Sequence, residues 1–424
     1  MENRDVVSTG LGLSVARSLD LDRLPSGPRA RLLARGGEAL FRRVSSRSAV
    51  QIALAGGDVM GAGSALGAQM FIHRPREFFL RLGNYGLIGL GESYMAGEWT
   101  SPDLVGLLTV FAADMSTLVP APLQRFRSAY VTKPPVHEYG SEATASENVS
   151  RHYDLSNDMF ELFLDRTLTY SGALFLDPSR ASWDELPDAQ SRKIDRLLDL
   201  AHVGSGTELL EIGSGWGELC IRAAARGATV RSVTLSREQL SLARHRIAYA
   251  GHQSSVQLDL LDYRAVEGTY DAIVSAEMIE AVGFRYWETY FTKLESLLAP
   301  GGKIALQAIT MPHERMLATR GTHTWIQKYI FPGGSVPSVT AIEQLTKSKT
   351  SLDIIDRLDF GAHYAETLRL WRERFCARSD VLQTLGFDRT FRRMWNFYLA
   401  YCEAGFRSRY LDVQQFALQH RGRR

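Results

Sequence analysis

Cysteine is scarce in this chain: three residues in 424 (Cys220, Cys376 and Cys402), far apart in the sequence. Such spacing builds neither a disulfide framework nor a metal cluster, and it suits a reducing compartment, the cytoplasm. An excess of one charge is also missing. The 49 Lys and Arg residues against 47 Asp and Glu leave a formal net charge of +2. That balance gives no global field for nucleic acid, and neither zinc-ligand spacing nor a nucleic-acid-binding motif is present, so nucleic acid is not expected as a partner. Long apolar runs are absent too. The most apolar window, Ala49 to Ile72, is interrupted by Gln51, Asp58, Gln69 and many small residues, too polar for a membrane span. The amino terminus, MENRDVVSTG, has neither the basic start nor the apolar run of a signal peptide. Contact with a bilayer is therefore expected to be peripheral, at the inner face of the membrane.

What is present is an ordinary globular composition, 45% hydrophobic and 23% charged, with length for two to three domains at roughly 100 to 200 residues each. Residues Arg23 to Arg47 hold seven arginines against one acid, Glu38. This run reads as a solvated helix face or as an arm touching anionic lipid headgroups. The segment GLIGLGESYMAGEWTSPDLVGLL ends in a helical pattern, with Ser101 as N-cap and Pro102 at the first helical position. A small mixed α+β domain over residues 1–131 is expected. The stretch Thr132 to Asn148, rich in Pro, Ser, Thr and Glu, reads as a linker. From 149 to 424, strand-like runs at Glu208–Ile212, Thr229–Thr234, Ser255–Leu260, Tyr270–Ser275 and Lys303–Ile309 alternate with helical patterns. Such alternation predicts an α/β domain with a parallel sheet and helices on both faces. Near the carboxyl end, Phe391, Met394, Trp395, Tyr398, Tyr401 and Phe406 recur at helical spacing beside several arginines. The pattern fits a core helix with a basic outer face, an acyl-tunnel wall or a membrane-surface helix.

The segment LLEIGSGWGELC joins an apolar strand ending in Glu211 to a turn carrying Gly213, Gly215 and Gly217, and then to a helix. Glycines there let the backbone approach a ligand at a helix N-terminus. The dinucleotide fingerprint would need its third glycine where Glu218 stands, and the phosphate loop would need Lys-Ser/Thr after its last glycine. Nicotinamide, flavin and nucleoside triphosphate chemistry are disfavoured. The pattern E-x-G-x-G-x-G is similar instead to the first motif of Rossmann-like methyltransferases that bind S-adenosylmethionine. The second strand runs into VTLSREQ, so Thr234, Ser236 and Gln239 replace the usual acid as hydrogen-bonding partners for a ribose.

Taken in order, RHYDLSNDMFELFLDRTLTYSGALF, LLEIGSGWG, VTLSREQ, SAEMIEAVG, YIFPGGSVPS and DFGAHYAETLRLW resemble the cyclopropane-fatty-acyl-phospholipid synthase family, which includes the mycolic acid methyltransferases. The resemblance implies a Rossmann-like class I methyltransferase fold with a mostly parallel seven-stranded sheet, S-adenosylmethionine as cofactor, and a lipid-chain acceptor. It places Tyr153, Tyr170 and Ser171 beside the cofactor. Glu211, Gly213, Gly215 and Gly217 fall at the methionine and ribose portion, followed by Thr234, Leu235, Ser236 and Gln239, with Asp262 and Tyr263 at the adenine. Glu277 is expected in contact with the cofactor. In the family a bicarbonate ion beside the transferred methyl is held by a Cys, a Glu, a His, a Tyr and a main-chain group at an Ile. Glu280, Tyr364 and Ile309 stand at three of those places, whereas Gly172 replaces the cysteine and Gln307 the histidine.

Methyl transfer to an isolated alkene needs a desolvated sulfonium pressed against the double bond, a face to stabilise the resulting cation and a base to remove a proton. Tyr364, Trp325 and Glu280 are candidates for the cation. Bicarbonate, if bound, would be the base, and otherwise Glu277, Glu280 or His363 would serve. The expected partners are unsaturated phospholipid acyl chains, a membrane surface touched peripherally and a second copy of the chain in a homodimer. Cyclopropane, methylene-branched and methyl-branched products all remain open, as do a small soluble acceptor and an inactive lipid-binding homologue.

Overall fold

Residues 21–64, 67–118 and 156–422 are described in a computed structural model, and they gather into two units. Tyr153 and the stretch Thr132 to Asn148 lie outside the described residues.

The first unit takes the described residues up to 118 together with 322–328 and 371–410. Its sheet has the order β2-β1-β3-β4, with β1 (Val50–Leu54) parallel to β3 (Ala68–Ile72) and antiparallel to β2 (Val59–Met60), and β4 (Trp99–Thr100) antiparallel to β3. The arginine run forms the helix Gly27–Ser45, which packs on the helix Pro75–Tyr85. Gly37 and Gly83 allow this crossing: a Cβ on Gly37 would lie 2.7 Å from the Cα of Gly83. The helix Leu104–Leu118 starts later than its sequence suggests, because Asp103, not Ser101, accepts a hydrogen bond from the Gly106 amide (2.9 Å). The aromatic stripe near the carboxyl end belongs to the helix Arg389–Arg407 and is core: Phe391, Met394, Trp395, Tyr398 and Phe406 are buried. Trp325 packs in the same unit. Its indole is buried in this unit against Gly91 and Phe397, with ring centroids 4.8 Å apart, and is core there.

The second unit holds residues 156–321, 329–370 and 411–422. Its seven strands run in the order β10-β11-β9-β8-β5-β6-β7. Here β5 is Glu208–Ile212, β6 Thr229–Thr234, β7 Val256–Leu260, β8 Tyr270–Ala276, β9 Leu298–Thr310, β10 Leu352–Asp359 and β11 Asp412–His420. Strands β5 to β9 are parallel, and β11 pairs antiparallel with both β9 and β10. The central strands are apolar because helices cover both faces, producing two clusters of buried Leu, Ile, Val and Ala. The chain order reverses at β5, with β6 on one side and β8 on the other, which is where open α/β sheets bind ligands at the carboxyl ends of their strands.

Candidate active site

Strand β5 ends in Glu211, and the following turn takes three left-handed glycines, Gly213 (φ +96°), Gly215 (φ +49°) and Gly217 (φ +87°). The loop is hemmed in at both ends. A Cβ on Gly213 would lie 2.7 Å from Met278, and one on Gly217 would lie 3.2 Å from Ala243. At Gly215 nothing among the described residues lies within 4 Å of that position, so the backbone is open to a ligand there. Trp216 anchors the loop by donating from its indole N–H to Asn157 (2.8 Å) and packing on Phe160, with centroids 5.0 Å apart. Phe160 also meets Tyr170 edge-on at 5.2 Å.

Beneath the loop, Glu211 is buried, and its Oε2 accepts hydrogen bonds from Cys220 (2.8 Å) and Ser232 (2.7 Å). Burial pushes this carboxyl up to about 7 against the pull of those two donors. Thr234 ends β6 and donates to the side-chain oxygen of Gln239 (3.2 Å), while the Ser236 hydroxyl caps the next helix by accepting from the Gln239 backbone N–H (3.1 Å). Leu235, between them, is half-buried. These polar groups form one cluster at the end of β6, as the sequence suggests. Beyond the end of β7, the ring of Tyr263 is buried in the core, edge-on to Tyr290 at 5.4 Å. Asp262 is tied to Arg264 through the backbone N–H (2.9 Å) and the guanidinium (2.8 and 2.6 Å). Burial raises its carboxyl, but the Arg264 donors prevail and hold it below the ordinary value.

A denser network lies at the ends of β8 and β9. Register pairs Ala276 with Gln307 and Gln307 with Gln415, so the residue after β8, Glu277, emerges next to Gln307. Glu277 has φ +55°, unusual for a residue with a Cβ. Its Oε1 accepts from the Gln307 amide (2.7 Å) and from the Gly172 N–H (3.0 Å), and its Oε2 accepts from the Tyr364 hydroxyl (2.8 Å). Gln307 also donates to the Gly172 carbonyl (3.3 Å) and accepts from Gln415 (3.0 Å). Burial raises the Glu277 carboxyl, opposed by the Gly172 N–H, Lys193, Gln307 and Tyr364. Glu280, on the short helix Ile279–Val282, receives the Ile309 N–H on Oε1, while its Oε2 is buried without a partner among the described residues. Burial first, and the neighbouring Glu277 charge second, push this carboxyl up to about 8.

The bicarbonate expectation is changed by this geometry. The donors meant for the ion are spent on the chain's own carboxylates: Tyr364, Gln307 and the Gly172 N–H on Glu277, and the Ile309 N–H on Glu280. The Glu277 carboxylate already standing there repels a second anion. Nor is Gly172 a gap left by a missing cysteine, because a Cβ there would lie 2.8 Å from Cδ1 of the Tyr364 ring. These residues do not fit a bicarbonate ion. His363 lies apart from the network, stacked on Phe175 with centroids 6.5 Å apart, and burial lowers its imidazole below the ordinary value.

Two residues of the network escape a motif-based reading. Lys193 is buried and donates to the Ser171 hydroxyl (2.6 Å), and Gln415 donates to the Lys193 carbonyl (3.0 Å). Burial pulls the Lys193 ammonium down to about 8, although Glu277, Asp165, Glu211 and Glu218 all oppose this. A signal for Lys193 does exist: it falls on the same helical stripe as Leu186, Ala189, Gln190 and Leu197, all buried. Gln415 has no such signal beyond its place in an otherwise apolar strand.

Residues 140–416 match the family described as mycolic acid cyclopropane synthetase. The chain belongs to that family. It is 55% identical over 94% of its length, and 94% of the relative's, to the tuberculostearic acid methyltransferase UfaA1 of Mycobacterium tuberculosis. It is 32% identical to the cyclopropane-fatty-acyl-phospholipid synthase of Escherichia coli, over 80% of this chain and 85% of that one. Among solved structures, the mycolic acid cyclopropane synthase CmaA1 complexed with SAH and CTAB superposes with a TM-score of 0.59 at 31% identity, covering 65% of this chain and 98% of the other. The protein is therefore a methyltransferase of the class I, S-adenosylmethionine-dependent type, with homologues among the cyclopropane synthases.

Proposed function

We propose that this methyltransferase adds one carbon from S-adenosylmethionine at the double bond of an unsaturated fatty-acyl chain of a membrane phospholipid, giving an open, branched product. The observation that carries the reading is the pair Glu277 and Glu280, one carboxyl fixed by three donors and the other holding a buried oxygen unpartnered among the described residues. Methylation of an amine or a hydroxyl has no need of two apposed carboxyls, whereas methylation of an alkene creates a carbon cation and ends with proton loss. The preference for an open branch rests on the relative matching at 55% over nearly the whole chain, which is named for a fatty-acid methyltransferase and not for a cyclopropane synthase.

The open position at Gly215 fits a cofactor approaching the backbone. Gly213, Gly215 and Gly217 would hold S-adenosylmethionine from below, Thr234, Leu235, Ser236 and Gln239 at the ribose, Asp262 and the main chain of Tyr263 at the adenine, and Tyr170 and Ser171 from above. Glu211 supports the loop through Ser232, whose hydroxyl lies 2.7 Å from that of Ser214. Bound there, the cofactor supplies a methyl group on a positively charged sulfur. Glu277, kept in place by Gly172, Gln307 and Tyr364, offers fixed negative charge to the cation left on the acyl chain, and the Tyr364 ring offers its face. As the new carbon–carbon bond forms from the alkene pair and the carbon–sulfur bond breaks, the chain gains one positive charge. A hydride then shifts from the methyl-bearing carbon to its neighbour, and Glu280, ionised by the cation beside it, takes on Oε2 a proton from the new methyl, whose C–H pair becomes the double bond of a methylene branch, with no bicarbonate needed.

The test is incubation of the purified protein with methyl-labelled S-adenosylmethionine and vesicles of monounsaturated phospholipid, followed by mass spectrometry of the released fatty acids. One labelled carbon per acyl chain is expected, at a rate unchanged by removing bicarbonate, with a branch and no ring in the proton spectrum. Label appearing only in soluble amines, with none in acyl chains, would overturn the proposal.

A further inference from the structure

The helix Gly27–Ser45 turns Ala30, Ala34 and Ser45 into the first unit. At 3.6 residues per turn its opposite side carries Leu32 and Arg43, with Arg35 on one flank and Arg29 and Leu40 on the other. Leu32, at the outermost position, is 70% exposed, and Leu33 and Leu40 are exposed as well. Leu32, Leu33 and Leu40 are thus interspersed on this helix with the exposed Arg29, Arg31, Arg35, Arg42 and Arg43. The helix's one acid, Glu38, is paired with Arg42 at 2.9 Å.

A merely solvated basic helix does not need leucine at its outermost point. Leucines ringed by guanidinium groups match the layering of an anionic bilayer, with phosphates at the surface and acyl chains beneath. A second copy of the same face is a poor occupant, since it would set arginine against arginine. We infer that the outer face of the helix Gly27–Ser45 docks the protein on an anionic phospholipid surface. The inference deepens the proposed function, resting on its reading of the acceptor as a membrane lipid: a docked first unit keeps the catalytic unit of the same chain at a high local concentration of acyl substrate.

The experiment is co-sedimentation of the full-length protein with vesicles of phosphatidylcholine, with and without phosphatidylglycerol. The wild type should partition onto the anionic vesicles and be released by salt. Replacing Arg29, Arg35 and Arg43 together by Ser should weaken partitioning on the order of a hundredfold. Leu32→Ser with Leu40→Ser should weaken it roughly tenfold and leave salt release intact. All five positions are exposed, and turnover of detergent-dispersed unsaturated acyl substrate should match the wild type in both variants. Equal partitioning of wild type and variants, or no partitioning at all, overturns the docking surface. Concentration-dependent dimers in solution that the arginine variant loses would assign the face to a second copy and overturn it too. Normal partitioning with no labelled acyl chain would uphold the docking surface and count against the proposed reaction alone.

Discussion

Adding a single methyl group at position 172 tests the rewired site directly. In Gly172→Ala the new Cβ would stand 2.8 Å from Cδ1 and 2.9 Å from Cγ of Tyr364, about 1 Å inside van der Waals contact. Neither side yields freely. The ring is buried and held at its hydroxyl by Glu277 (2.8 Å), and the Gly172 N–H is held by the same carboxylate (3.0 Å). Overpacking of this kind costs about 1 to 3 kcal/mol, and losing a hydrogen bond to a charged group adds about 1.5 to 3 kcal/mol. Partial relaxation leaves an expected loss of roughly 2 to 5 kcal/mol for Gly172→Ala. The measurement is a double-mutant cycle by urea denaturation with Tyr364→Ala, which removes the ring. In that background Gly172→Ala should cost less than about 1 kcal/mol, giving a coupling of at least about 1 kcal/mol. A cost that is the same with and without the ring would refute the steric argument. Gly172→Cys meets the same ring, so restoring the family's cysteine and histidine at 172 and 307 should not by itself create a bicarbonate site.

Two further perturbations probe the buried charges. Glu280 holds its proton up to about pH 8 in the folded protein, against 4.5 ordinarily; the native state therefore binds the proton more tightly than the unfolded chain, and stability falls as pH rises from 4.5 to 8. Glu280→Gln removes that penalty and should stabilise the fold, at most on the order of 3 kcal/mol at pH 7 from about 1.4 kcal/mol per pH unit, while turnover drops on the order of a hundredfold with cofactor affinity kept. A stability gap that does not widen between pH 5 and 8, or an equal loss of binding and turnover, would contradict the assignment. Lys193→Met removes a buried cation hydrogen-bonded to Ser171 and should raise the affinity for S-adenosylmethionine relative to its neutral product by about fivefold, the worth of roughly 1 kcal/mol of like-charge repulsion; an unchanged ratio in calorimetry would show that this charge is not felt at the cofactor.

The five parallel strands were legible because each is a short apolar run between turn residues, and the glycine loop because its left-handed positions leave few alternatives to glycine. Strands β10 and β11 were not, for opposite reasons. β10 lies at the sheet edge, and its charged side chains disguise it as a loop or helix face. β11 is buried along most of its length, yet Gln414 and Gln415 break the apolar pattern because Thr310, Gln307 and Arg196 satisfy their side chains across the sheet. The same limit governs the site. Glu280, Tyr364, Gly172, Gln307 and Ile309 were found as separate positions, and the structure brings them together. That Gly172 exists to admit the ring of Tyr364 depends on contacts between segments nearly 200 residues apart, which no local pattern encodes. For Tyr263 the sequence leaves two roles open, since an aromatic residue at a strand end has the same signature whether it faces ligand or core.

Gly172 and Gln307 look like losses only when each is taken alone. Glycine at 172 frees the space that the Tyr364 ring fills, and the ring's hydroxyl then reaches Glu277. Glutamine at 307 donates to the same carboxylate while passing its own carbonyl to Gln415, a linkage that a histidine with one donor and one acceptor could not reproduce together with the contact to Gly172. The two substitutions thus act on one target, the fixing of Glu277, and that fixed charge in turn helps push the neighbouring Glu280 up to about 8. A carboxyl held near neutrality in this way costs less to bury than an ion. Cationic charge arriving beside it, whether on sulfur or on carbon, favours its ionised form, so Glu280 releases its own proton as the cofactor binds and stands as a carboxylate when the acyl chain has a proton to give.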